Sequence, residues 1–270
     1  MNKSYKLLSS NSRQYGGTNK LCVIGIAGPS GCGKTFLANK IKEKLLIDKF
    51  KQIEILSCDN YYKNVKDLSD GKDASTINWD IPEALDLDLL TIHIEALKKG
   101  NKAYIPKYNF KTSTREETTT ELDGSKINII IIEGLFVLFN NKLRDEINLK
   151  IFTLLDDDIC LARRLQRDVI ERGKSHTETI KQYQLFVKPS YIKYIEPTKK
   201  FADIIISTSE FTDTSKSIDI ISTYLKKCIE FEGGMNSTIE NEKRNVEKKS
   251  VDNIESKYLK YKNKYLELKN

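Results

Sequence analysis

The chain has 270 residues, 39% hydrophobic and 31% charged, and a formal net charge of +7. That composition supports a globular body with a sizeable core and excludes a disordered chain, a collagen-like fibre and a small disulfide scaffold. Residues 241–270 hold eight Lys and Arg244 against five acidic residues, so +4 of the +7 sits there; the remaining +3 argues against a nucleic-acid-binding body.

No window reaches the roughly 18 consecutive apolar residues of a membrane span. The longest apolar run, Ile127 to Phe139, is broken by Asn128, Glu133 and Gly134. Residues 1–20 are polar and carry no apolar signal core, so a flexible leader and a cytoplasmic location are expected. Cys22, Cys32, Cys58, Cys160 and Cys228 are odd in number and form no C-x-x-C pair, which fits reduced thiols rather than disulfides or a zinc site.

In chain order, residues 21–27 read as a buried strand, followed by a glycine-rich turn. A helix over Thr35–Leu46 then places Phe36, Leu37, Ile41, Leu45 and Leu46 at helical spacing, and Gln52–Ser57 reads as a second strand. Pro82–Lys99 reads as a helix with Leu85, Leu89, Ile92, Ala96 and Leu97 inward and a stop at Gly100. Alternation within 102–125 predicts a small antiparallel hairpin. Ile127–Ile132 has the continuous apolar character of a central strand, and Lys150–Leu155 and Ala202–Ser207 read as two more. Strands alternating with helices predict a doubly wound parallel α/β sheet with helices on both faces and ligands at the carboxyl ends of the strands. Beyond Gly233-Gly234, the Lys-rich tail 233–270 spaces Val251, Ile254, Tyr258, Tyr261, Tyr265 and Leu268 as a short heptad seam. It reads as a partly ordered basic segment or as a short oligomerisation helix.

Gly28-Pro29-Ser30-Gly31-Cys32-Gly33-Lys34-Thr35 matches the phosphate-loop pattern G-x-x-x-x-G-K-[ST], placed between a strand and a helix as the mechanism requires. Backbone N–H groups from Gly28, Ser30, Gly31, Cys32 and Gly33 would wrap a β-phosphate. Lys34 would reach the β and γ phosphates, and Thr35 would ligate Mg²⁺. Glu133 ends the apolar strand where a second carboxylate faces the metal in such folds; its alternative is a strand-end cap. With Asp59, these make the candidate metal set Thr35, Glu133 and Asp59, and ATP the expected phosphate donor.

Further motifs narrow the acceptor. Leu-Ser-Cys-Asp59-Asn-Tyr-Tyr62 closes the second strand, Asn78-Trp79-Asp80 precedes a helix, Pro106-Lys-Tyr108-Asn-Phe110 lies in the hairpin and is followed by Thr114-Arg115. Arg163-Arg164-Leu-Gln-Arg167 and Arg172-Gly173-Lys174 follow, then Gln182-Tyr and Phe186-Val-Lys-Pro189, and finally Glu196-Pro-Thr-Lys-Lys-Phe-Ala-Asp203. Taken in this order, from about Cys22 to Ile206, these segments resemble the uridine-cytidine kinases of the phosphoribulokinase/uridine kinase family, which share the P-loop NTPase fold.

The resemblance implies a nucleoside kinase domain over 21–232, with a hairpin insertion at 102–125 and an arginine-rich lid at about 160–185. It implies that Asp59 accepts the proton of the nucleoside 5′-hydroxyl and that Asp80, Arg164 and Gln182 hold the ribose hydroxyls. Tyr62, Trp79, Tyr108 and Phe110 would wall the pyrimidine, and a homo-oligomer is implied. Arg167 and Arg172 would clamp the transferring phosphoryl group, a role worth about 10³- to 10⁵-fold in rate. The bland alternative is a solvated basic face with Asp156, Asp157 and Asp158 as counter-charges.

Three positions depart from the family pattern. Ser113 stands where a base-reading histidine is usual, and neither His93, on a predicted helix, nor His176, in the lid region, replaces it. Lys174 stands for an arginine, keeping charge but losing bidentate geometry. Ser207-Thr208-Ser209 replaces a proline-arginine-glycine run after the last strand. The expected activity is ATP- and Mg²⁺-dependent phosphorylation of uridine or cytidine. A sugar kinase such as a phosphoribulokinase is the nearest alternative, and a non-catalytic nucleotide-binding or nucleic-acid-associated protein is the alternative of a different class.

Overall fold

The computed structural model describes residues 21–69, 77–209 and 213–226. The leader 1–20 and the tail 233–270 with its heptad seam lie outside the described residues. The chain divides into two units, Met1–Asp219 and Ile220–Asn270. Of the second, the described part is residues 220–226, the end of a helix over 215–226.

In the first unit five parallel strands form the sheet: β1 (Cys22–Ala27), β2 (Ile53–Ser57), β5 (Ile129–Glu133), β6 (Leu149–Leu154) and β7 (Ile204–Ser207), in the order β2-β5-β1-β6-β7. β1 and β5 are buried at every position, which is why their sequences are unbroken apolar runs rather than alternating ones. The order reverses at β1: β2 and β5 lie to one side, β6 and β7 to the other. Such a reversal opens a crevice at the carboxyl ends of the strands. A separate antiparallel hairpin, β3 (Lys102–Asn109) with β4 (Thr114–Asp123), stands apart with a register shift between Pro106 and Tyr108.

The helices depart from the predicted faces at two places. α1 (Lys34–Ile47) buries Leu37, Ala38, Ile41 and Leu45, while Phe36 and Leu46 are exposed. α3 (Leu87–Lys98) begins five residues later than the apolar spacing suggests. Pro82–Ala84 forms a short 3₁₀ turn, Leu85 bridges Tyr62, and the Asp86 carboxylate accepts from the Leu89 amide at 3.1 Å. That side-chain cap fixes the helix start. With the start moved, the buried stripe is Leu87, Leu90, Thr91, Ile94 and Leu97, and Ile92 faces solvent.

Two short helices, α2 (Val65–Ser69) and α4 (Asn141–Glu146), link these elements. The predicted lid region is two helices, α5 (Asp157–Ile170) and α6 (His176–Gln182). Gly173, at φ 67°, stops the first: the Lys174 amide turns back to the Asp168 carbonyl at 3.1 Å. α6 opens with a Ser175–Glu178 capping box and runs on through π-helical turns at Tyr183–Val187 and Tyr191–Ile195.

Candidate active site

Strand register assembles the floor of the crevice. Glu133 pairs with Ile26 of β1 and Ser57 of β2, so the carboxyl ends of three strands stand side by side. β1 leads into the phosphate loop, β2 into the turn Cys58–Tyr61 that carries Asp59, and β5 ends on Glu133.

The loop is built tightly. Gly31, at φ 85°, approaches the α5 end so closely that a Cβ there would stand 2.3 Å from the Cys160 carbonyl oxygen. Gly33, at φ 88°, turns the chain into α1. Below the loop, the Thr153 hydroxyl donates to the Ala27 carbonyl at 3.1 Å and takes a hydrogen bond from the Cys32 thiol at 2.7 Å. From β7, the Thr208 hydroxyl donates to the Cys32 carbonyl. The Lys34 ammonium donates to the Pro29 carbonyl at 2.8 Å, curled over the loop that it would leave for a phosphate.

Glu133 is 6% exposed. Burial pushes its carboxyl up, Asp59 adds to the effect, and Lys34 with the Ser57 and Thr35 hydroxyls opposes it. Asp59, Glu133 and the Thr35 hydroxyl therefore form a hard oxygen set with more negative charge than one ammonium balances. That donor chemistry fits a magnesium ion, which keeps waters and phosphate oxygens in its shell and needs few protein ligands. Among the described residues no cluster of three or more His, Cys, Asp and Glu side chains is arranged to hold a metal without such help.

A cleft of about 730 Å³ runs from this floor to the hairpin. Its walls bring together Ser30, Lys34, Thr35, Asp59 and Glu133 with Tyr62, Trp79, Asp80, Tyr108, Phe110 and Ser113. Arg164, Arg167, Arg172, Lys174 and Gln182 complete it from the α5–α6 arm. Gly28, Gly31, Cys32 and Gly33 are not among its walls; the Cys32 side chain is fully buried and supports the loop from beneath.

The aromatic wall packs mostly edge to face, with Tyr62 and Tyr108 tilted at 44°. Tyr62 has ring centroids of Tyr108, Trp79 and Phe110 at 5.4, 6.0 and 6.2 Å, and Tyr108 and Phe110 are 5.2 Å apart. Ser113 turns the hairpin at φ 54° and its side chain hydrogen-bonds Tyr108. The hairpin is held to the Asp59 turn by Arg115, which donates to the Tyr61 and Tyr62 carbonyls, both at 2.9 Å. Neither histidine is among the cleft walls: His93 on α3 bonds the Tyr61 hydroxyl at 2.9 Å, and His176 opens α6.

On the arm, Arg164 is 6% exposed, donates to Ser30 Oγ at 2.8 Å and stands 3.6 Å from Asp80. It thereby joins the phosphate loop to the acceptor side. Lys174 donates to the Gln182 side-chain carbonyl at 2.8 Å, and burial pulls its ammonium below the usual lysine value. The counter-charge of the arginines is Asp168 rather than the aspartates at the start of α5; Asp157 pairs with Lys188 instead. Asp168 lies four residues after Arg164 on one face of α5, while Arg172 reaches it from the turn beyond the end of the helix. Thr153 and Thr208 carry no local signal, because only sheet pairing brings them beneath the loop.

The model of the phosphoribulokinase/uridine kinase family matches residues 23–215. Uridine-cytidine kinase A of Dictyostelium discoideum is 41% identical over 204 residues, which cover 76% of this chain and 39% of that protein. A uridine kinase of Lactobacillus johnsonii is 41% identical over 207 residues, covering 77% of this chain and 95% of that protein. The crystallised phosphoribulokinase from Rhodobacter spheroides superposes with a TM-score of 0.54 at 18% identity, over 73% of this chain and 74% of that one, and shares the fold.

Proposed function

This chain belongs to the phosphoribulokinase/uridine kinase family, and from that premise we propose that it transfers the γ-phosphoryl group of ATP to the 5′-hydroxyl of uridine or cytidine, giving UMP or CMP. The observation that carries this reading is the convergence in one cleft of the phosphate loop, the Asp59–Glu133 carboxylates, the Asp80–Arg164 pair and the aromatic wall.

Lys34 and the loop amides hold the donor phosphates. Asp59, at the carboxyl end of β2, orients the 5′-hydroxyl and takes its proton. Asp80, Arg164 and Gln182 bind the ribose hydroxyls, and Tyr62, Trp79, Tyr108 and Phe110 wall the base. Ser113, short and uncharged, is both donor and acceptor and so suits either a carbonyl or an amine on the pyrimidine. Arg167 and Arg172 stabilise the transferring group, so catalysis is positioning plus electrostatics. Thr35, Glu133 and Asp59 would hold Mg²⁺, which neutralises phosphate charge when bound.

The aromatic wall favours a nucleoside over a sugar phosphate, since its rings offer nothing to a second phosphate. No described helix is long and apolar enough to cross a membrane. Action in the cytoplasm as a homo-oligomer is part of the same proposal. ADP release from ATP–Mg²⁺ in the presence of uridine, cytidine, adenosine or ribulose 5-phosphate tests it. Turnover with uridine or cytidine is expected, and turnover with ribulose 5-phosphate alone would overturn it.

A further inference from the structure

We propose that Asp168 is a positioning residue for phosphoryl transfer: from inside α5 its carboxylate sets the guanidinium groups of Arg164, Arg167 and Arg172 along one edge of the cleft. The inference rests on the kinase reading and adds to it a residue outside the cleft.

Asp168 is fully buried and is not among the cleft walls, whereas all three arginines are. Its Oδ1 accepts from Arg167 Nε at 3.0 Å and Nη2 at 2.9 Å and lies 3.5 Å from Arg172 Nη1. Its Oδ2 lies 3.4 Å from Arg164 Nε as an ion pair, and neither of these two buried atoms has a hydrogen-bond partner. A lone buried carboxylate is costly, and a buried pair is weak evidence for stability. Three guanidinium groups against Asp168 and, beside Arg164, Asp80 leave one positive charge over, and Arg167 and Arg172 line the cleft. Burial pushes the Asp168 carboxyl up, yet the three arginines override this and hold it below the ordinary aspartate value, so it stays charged. Its backbone carbonyl also takes the Lys174 amide, fixing the turn that presents Lys174 to Gln182.

The three arginines depend on Asp168 unequally. Arg164 keeps Ser30 and Asp80 as partners without it. Both hydrogen bonds of Arg167 go to Asp168, and Arg172 has besides it the face of Phe110, 4.4 Å from the guanidinium carbon. Removing the charge therefore frees the two arginines assigned to the phosphoryl group and spares the one assigned to the ribose. A purely structural carboxylate would show no such split.

The test compares Asp168→Asn and Asp168→Glu with the unmodified full chain, by steady-state kinetics and thermal unfolding. Asp168→Asn should lower kcat about 100-fold, the cost of an ångström-scale misplacement, while KM for uridine changes by less than about 3-fold. In an Arg167→Ala background the same substitution should cost less than about 3-fold, because the partner is already gone. Wild-type kcat in folded Asp168→Asn, or costs that multiply with Arg167→Ala, would overturn the inference. Where Asp168→Asn fails to fold, Asp168→Glu carries the test: it keeps the charge but moves it by a methylene, so a loss confined to kcat is expected and an unchanged kcat overturns. Absence of nucleoside-dependent turnover in the unmodified chain would overturn the kinase reading and this inference together; turnover unaffected by Asp168 would overturn this inference alone.

Discussion

On the floor of the cleft two carboxylates, Asp59 and Glu133, face one ammonium, that of Lys34; on the α5 arm three guanidinium groups surround the carboxylate of Asp168, and Asp80 stands near Arg164 alone. Each region holds charge that its own residues do not balance, and the signs are opposite. The floor lacks a cation and the arm lacks anions. A metal–nucleotide, as the proposed function requires, would supply both kinds of charge. Such fixed, uncompensated charge is the preorganisation that electrostatic catalysis requires. Burial and the nearby Arg167 pull Arg172 below the usual guanidinium value, and burial with Asp59 pushes Glu133 up; both are marks of charge held out of water without enough partners.

The most severe way to break this balance is to remove positive charge from the arm. Arg167→Ala with Arg172→Ala should lower kcat by about 10³-fold or more, with ATP still bound by the phosphate loop, as steady-state rates and nucleotide titration would show. On the floor, Asp59→Asn keeps the shape and removes the proton acceptor. The expected loss is about 10²- to 10⁴-fold in kcat, with nucleoside affinity by calorimetry retained.

A smaller effect sharpens the contrast through stability. Glu133 has a raised carboxyl pKa in the fold, so its contribution is present at low pH, where it is protonated, and is lost as pH rises through that value. Asp168 has a lowered one, so its contribution is present at neutral pH and is lost as pH falls through its folded value. Glu133→Gln should therefore raise the thermal midpoint of the ligand-free protein at neutral pH while abolishing metal-dependent turnover. A lowered midpoint would contradict the excess of negative charge on the floor.

The smallest expected effect is at the seam between arm and hairpin. Phe110→Leu removes the face on which Arg172 rests, and kcat should fall about 2- to 5-fold, the worth of a cation–π contact of about 0.5–1 kcal/mol.

These two regions were not equally legible in the sequence. The floor is written in contiguous motifs: an apolar strand, eight residues of phosphate loop, Asp59 after a strand and Glu133 at the end of another. Strand register alone brings their ends together. The arm shows its arginines but hides its carboxylate, because Asp168 reads as one more surface charge until packing buries it. The same holds beneath the loop, where Thr153 and Thr208 come from β6 and the end of β7, more than a hundred residues from Cys32. At α3 the apolar spacing ran too far back: Leu85 is buried through its bridge to Tyr62 rather than on the helix, the local Asp86 cap starts the helix after it, and Ile92 faces solvent.

The most direct test of the account is transfer of label from γ-labelled ATP to uridine and cytidine by the unmodified chain, beside Asp59→Asn. The account predicts label on the 5′-position of the nucleoside, lost in Asp59→Asn while ATP binding persists. Label released only as inorganic phosphate, or transferred equally well by Asp59→Asn, would contradict it.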